Sequence, residues 1–117
     1  MRLFSPLMPC IAWGGGGYYI VDFENQNNYF IETKWTFACD APYFLNSLSS
    51  TAMSAGFRLY VTYNGKKTIL FENRGVTGNI RLEGIIPEGA TIVGEVIDSG
   101  WEVRVSVNLA RVIQLNT

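Results

Sequence analysis

From Tyr18 onward, β-branched and aromatic residues recur with a period of two, and this alternation limits the chain to strands. Successive side chains of a strand point to opposite faces, so alternating apolar and polar residues let a sheet bury one side. The run from Tyr29 is the clearest in its half of the chain. Tyr29, Ile31, Thr33, Trp35, Phe37 and Cys39 face one way, and Phe30, Glu32, Lys34, Thr36 and Asp40 the other. The same pattern returns in Phe57, Leu59, Val61 and Tyr63, and in Trp101, Val103, Val105, Val107 and Leu109. Beyond Ala110 the phase blurs, because Arg111 falls on the apolar side unless a bulge shifts the register by one, so a bulge or a strand running past the core edge is expected there.

Turn chemistry divides these runs. Asn64-Gly65 is the preferred pair for a two-residue type I′ turn, in which both central residues need positive φ, so it predicts a hairpin over residues 56–73. The cluster Asn25 to Asn28 predicts a second hairpin, between strands at Tyr18 to Glu24 and Tyr29 to Cys39. Asp98-Ser99-Gly100 predicts a third, joining Thr91–Ile97 to Trp101–Leu115. Asp40-Ala41-Pro42 ends one strand and Pro87-Glu88-Gly89 makes another tight turn. Tyr43 to Leu48 is read as a strand and Ser49 to Gly56 as a connection. With about eight strands and no helix, the expected fold is an antiparallel β-sandwich, jelly-roll-like, with a closed barrel as the alternative.

Two parts are expected: an apolar arm and glycine hinge over residues 1–17, and one β-sandwich domain over residues 18–117. The arm presents Leu3, Phe4, Leu7, Met8, Ile11 and Trp13, and Gly14, Gly15, Gly16 and Gly17 tie it to the body. A glycine run populates unusual backbone angles freely and holds no regular structure, so it serves as a hinge. Pro6 and Pro9 interrupt the opening segment, which argues against a secretory leader. Burying a large apolar side chain is worth ~1.5–3 kcal/mol, so six of them can hold a subunit in place against the entropy of ordering the arm. Charged residues make up only 16% of the 117, below the usual ~25%, so some apolar surface is expected to be covered by a partner. The nine basic residues are scattered, and nucleic-acid binding, which needs clustered positive charge, is disfavoured. No stretch approaches the ~18–20 apolar residues of a membrane helix.

The chain has no histidine, which removes Ser-His-Asp and Cys-His mechanisms and the commonest zinc ligand. No catalytic residue, metal site or cofactor is expected. Cys10 and Cys39 lack the spacing of a redox pair and are read as free thiols. Asp22 with Glu24 and Glu95 with Asp98 are the nearest carboxylate pairs. Glu95 interrupts an apolar run, so an arginine partner is expected, Arg81 or Arg104, in a structural ion pair. Serines 47, 49, 50 and 54 have no base to activate them. Trp35 is in phase with the core, while Tyr60 and Trp101 are the candidates for an outward, ligand-stacking aromatic, with Tyr18 or Tyr19 next.

The hairpin GFRLYVTYNGKKTILF, the stretch GNIRLEGIIPEGATIVGEVI and the closing WEVRVSVNLARV resemble the small β-sandwich structural proteins of tailed bacteriophages. That resemblance spans residues 56–112 and implies a virion component of a tail, baseplate, fibre or head decoration, assembled in the host cytoplasm as a homo-oligomer or within a larger assembly. The expected function is a non-enzymatic assembly subunit that docks onto other protein subunits through its arm. The alternative is a carbohydrate-binding sandwich, cytoplasmic or extracellular, that uses Tyr60, Trp101 and the polar segments Asn25 to Asn28 and Asn46 to Ser54.

Overall fold

The computed structural model describes residues 5–6, 18–50, 56–74, 78–98 and 105–116. They form ten strands: β1 (Ser5–Pro6), β2 (Tyr18–Val21), β3 (Asn27–Ile31), β4 (Lys34–Ala38), β5 (Tyr43–Ser50), β6 (Gly56–Tyr63), β7 (Lys66–Arg74), β8 (Gly78–Ile86), β9 (Thr91–Asp98) and β10 (Val105–Asn116). One sheet runs β1-β8-β5-β10-β2 with β3 also paired to β10, and the other runs β4-β9-β6-β7. All pairings are antiparallel except the parallel β1–β8 contact. The two sheets make the expected sandwich.

The inward face follows the alternation. Phe57, Leu59 and Val61 of β6 are fully buried and meet Ile31, Leu45, Leu48, Ile86, Val105, Val107 and Leu109 of the larger sheet. Leu45 and Leu48 both reach this core although three residues apart, because a register shift between Leu45 and Ser47 takes up one residue. Gly94 on β9 allows the sheets to approach closely: a Cβ there would stand 2.8 Å from Ile31 Cδ1 and 3.0 Å from Phe57 Cζ.

A second apolar cluster lies on the opposite face of the larger sheet. Phe44 and Ile85, each next in sequence to a core residue, point outward, and with Tyr19 and Val112 they are nevertheless buried. Beside this cluster Ser5 and Pro6 pair with Gly84 and Ile85 along the sheet edge.

The Asn64-Gly65 turn forms as expected, with φ of 51° and 76°, and joins β6 to β7. Pro87-Glu88-Gly89 also turns the chain, the Gly89 N–H donating to the Cys39 carbonyl. Two other hairpins do not exist. β2 and β3 never pair with each other: β2 lies along Val112–Asn116 and β3 along Val105–Leu109, end to end on the same side of β10. The polar cluster therefore does not reverse the chain. It makes a one-turn 3-10 excursion, Phe23–Asn25, in an otherwise continuous edge strand, and the first strand stops at Val21 instead of Glu24. β9 and β10 likewise join different sheets, because their inward faces are buried from opposite sides of the core.

The run from Tyr29 to Cys39 is also two strands, broken at Glu32 and Thr33, and the chain crosses from one sheet to the other there. The apolar parity survives the crossing, except that Thr33, expected inward, is exposed at the corner. Ser49 and Ser50 belong to β5 and not to a connection. Of the two outcomes expected beyond Ala110, a bulge or a strand running past the core edge, Arg111 shows the second: the register shift opposite Asn108 and Leu109 takes up an extra residue of β5, and the one in β10 comes only between Val112 and Gln114.

Candidate functional site

The 3-10 excursion, the end of β4, the start of β5 and the middle of β10 together enclose a cleft of about 290 Å³ at one end of the sandwich. Tyr29, Phe37, Tyr43 and Leu109 supply its apolar surface, and Asp22, Asn25, Asn27 and Arg111 its polar surface. The aromatics hold one another in place. Tyr29 lies 5.2 Å from Trp35 and 5.4 Å from Phe37, and Tyr43 meets Phe37 edge-on at 4.8 Å. These distances fall in the ~4.5–7 Å range at which ring pairs attract beyond their buried area.

Local bonding shapes the polar side. The Asp22 N–H donates to the Arg111 carbonyl (2.8 Å), anchoring the excursion to β10. The Asn25 amide then donates to the Asp22 carboxylate at 2.9 Å, which closes the turn. Arg111 was suspect in the sequence as a charge out of phase. It lies on the Leu109 side of β10 but past the edge of the core, where its guanidinium stays half-exposed and stands 3.8 Å from Asp40.

The Tyr43 hydroxyl donates to Asp40 at 2.7 Å. That bond, aided by Arg111, holds the Asp40 carboxyl below its ordinary range. Burial chiefly, with the Asp40 bond and charge added, pushes the Tyr43 phenol up to about 12. Because the folded value exceeds the ordinary 10, this tyrosine contributes stability that is whole below pH ~10 and lost as pH rises through about 12. Asp40→Ala removes the bond and the charge but not the burial. One tyrosine should then titrate earlier in a 295 nm absorbance titration, part of the way back towards 10; an unchanged curve would show that Asp40 does not act on Tyr43.

The structure places the sequence candidates as follows. Leu3, Phe4, Leu7, Met8, Ile11, Trp13, Gly14, Gly15, Gly16, Gly17 and Trp101 lie outside the described residues, as do Cys10 and Ser54. Tyr60 is half-buried on the outer face of the smaller sheet, with Lys67 Nζ 4.1 Å from its ring centroid, so the chain's own ammonium sits over that ring. Trp35 is packed against the core between Tyr29 and Phe37. Of the two arginines expected to pair with Glu95, Arg81 does not and Arg104 lies outside the described residues. Glu95 is paired with Arg58, which faces it in register across β6 and β9 at 3.1 Å and also bridges Glu72. Arg81 pairs with Glu83 instead.

Cys39 is a free, buried thiol, pushed up to about 12 by burial with a smaller contribution from the Asp40 charge. Among the described residues no group of three Cys, Asp or Glu side chains gathers as a metal ion would require.

The two polar segments singled out in the sequence do meet, on the outer face of the larger sheet. Asn46 donates to Asn108 (3.1 Å) and Asn108 to Asn28 (2.9 Å), while Ser49 and Ser106 share a 2.7 Å bond. Their side chains satisfy one another across three strands, which makes this part of the face polar, with Phe30 exposed. The cleft aromatics Phe37 and Tyr43 were missed as site residues because their parity is that of core positions. Only their place at the strand ends sets them at the mouth.

Compared with known proteins, the chain matches no protein-family model and no curated protein, so a functional reading stands on the geometry of the fold and its surfaces.

Proposed function

We propose that the chain is a non-enzymatic structural subunit that assembles by lending its N-terminal arm to a neighbouring copy. The observation that supports this is the pairing of Ser5 and Pro6 with Gly84 and Ile85 at the edge of the larger sheet. Within the single chain Ser5 and Pro6 lie on the chain's own sheet. Main-chain bonds to a sheet edge are the same whichever molecule supplies the strand, and this is the basis of strand addition and of domain swapping.

Two features favour exchange. The four glycines let the leader leave the body in many directions. The edge it joins adjoins the outward apolar cluster of Tyr19, Phe44, Ile85 and Val112, a landing place for apolar arm residues. Leu3, Phe4, Leu7, Met8, Ile11 and Trp13 are the residues we assign to that contact. A virion, in its tail, baseplate, fibre or head decoration, is the setting in which we place the assembly, on the strength of the phage resemblance.

Removing residues 1–13 is expected to leave a folded β domain, with unchanged far-ultraviolet circular dichroism, that elutes as a monomer. The full-length chain should run as an oligomer when chromatography is coupled to light scattering. A full-length chain that stays monomeric at every concentration overturns the proposal, and so does a truncated chain that still assembles.

A further inference from the structure

The described residues that line the cleft at the end of the sandwich all belong to the β body and not to the arm, so the cleft is a surface separate from the edge that Ser5 and Pro6 join. It depends on a feature the core does not require. The 3-10 turn Phe23–Asn25 contains no buried residue, yet it interrupts the ladder between β10 and its neighbours. Phe23 of this turn packs edge-on against Phe44 on the outer face, but the turn buries no residue between the sheets, and forgoing ladder bonds there marks a surface shaped for contact, as bulges beside binding sites do. What the excursion achieves is to bring Asp22, Asn25 and Asn27 opposite Arg111, over a floor of Tyr29, Phe37, Tyr43 and Leu109.

We propose that this cleft binds a neutral saccharide unit. The volume, about 290 Å³, lies at the small end of the ~300–1,000 Å³ range of ligand pockets and suits one sugar ring better than an extended ligand. A pyranose has apolar C–H faces and a girdle of hydroxyls, each of which both donates and accepts. The cleft matches both properties. Its aromatic floor offers apolar area with little rotamer entropy to lose, since the rings already brace one another.

The cleft's polar side is built from planar groups: two amides that donate and accept, a carboxylate that accepts twice over, and a guanidinium with several donors. Such groups span neighbouring hydroxyls. Asn25 occupies one oxygen of Asp22 and thereby orients the carboxylate. Charge and hydrogen bonding decide against the other small ligands. Arg111 stands near Asp40, and Asp22 adds a second carboxylate, so a phosphate or other anion meets more negative than positive charge. A quaternary ammonium, which the aromatic floor and the two carboxylates would attract, has no hydrogen-bonding group to meet the Asn25 and Asn27 amides or the Arg111 guanidinium, so choline is the control that decides between them. With amides, a carboxylate and a guanidinium all left to satisfy, a neutral polyol is the occupant.

The test is a titration of the isotope-labelled full-length chain, followed by amide resonances, with glucose, galactose, mannose, N-acetylglucosamine, lactose, maltose and cellobiose. Choline and inorganic phosphate serve as controls. At least one sugar should shift the amides of Asn25, Asn27, Tyr29 and Arg111 while leaving those around the Asn64-Gly65 turn in place. Asn27→Ala and Arg111→Ala alter exposed side chains and should leave the fold intact; each should weaken the sugar by about tenfold, the loss of one good polar contact. The proposal is overturned if no sugar moves the cleft amides, if choline or phosphate occupies the cleft instead, or if both variants bind as the parent does.

Discussion

Phe57→Ala is expected to destabilise the fold by about 3–5 kcal/mol, the usual cost of emptying a fully buried aromatic site. Phe57 has no exposed surface and lies on β6, the central strand beside β9 and β7, where it faces Ile31 and the residues of β5 and β10. The cavity would open between two sheets that are each cross-linked by their own ladders, so neither can collapse to fill it. A domain of this size has ~5–15 kcal/mol in all, so the variant should lose roughly 10–20 °C of melting temperature in a circular-dichroism melt. A loss under 1 kcal/mol would mean that the sheets pack more loosely than the geometry shows.

Gly94→Val acts on the same place from the opposite direction. The added Cβ alone would sit 2.8 Å from Ile31 Cδ1 and 3.0 Å from Phe57 Cζ, closer than side chains normally approach, with Trp35 Cε3 at 3.5 Å. Valine adds two methyl groups beyond that point, and the sheets must part to admit them. Overpacking of this kind typically costs ~1–3 kcal/mol and at a site this tight about 3 kcal/mol or more, measured by urea unfolding. Because the two residues touch, their effects should not add. The double variant Phe57→Ala with Gly94→Val should be more stable than the sum of the single losses predicts, since the valine fills part of the space the ring leaves. Strict additivity in that cycle would show that the Gly94 contact does not set the spacing between the sheets.

The assembly and saccharide readings divide the molecule between them. Ser5 and Pro6 meet the β8 edge, and the arm is proposed to cover the outward cluster around Phe44, while the cleft lies between the excursion, β3, β4, β5 and β10. Among the described residues Phe23 links the two regions through its side chain, since it sits in the excursion and packs edge-on against Phe44 at 5.5 Å. A variant without the arm should therefore retain its cleft if Tyr19, Val112 and Phe23 suffice to hold Phe44. This can be read from whether the cleft amides keep their resonances after truncation.

Local chemistry alone determined a good deal of this protein. Period-two alternation set the all-β class and told which side of Phe57 to Tyr63 and of Val105 to Leu109 turns inward. Asn64-Gly65 set its hairpin, because few other dipeptides accept two positive φ angles in succession. Arg111, out of phase on paper, already marked the point where β10 runs past the core. The tertiary structure decided which strands become neighbours. A strand's N–H and C=O groups are satisfied equally by any edge of the right direction, so nothing local in Tyr18–Val21 or Asn27–Ile31 says that both lie along β10. Nor does the Asn25–Asn28 cluster say whether it reverses the chain or only lifts it out of a strand, because its side chains bond local backbone in either case. The cleft exists only through that non-local choice: it appears where Asp22 and Asn25 are pinned over Arg111, residues far apart in sequence that no motif connects.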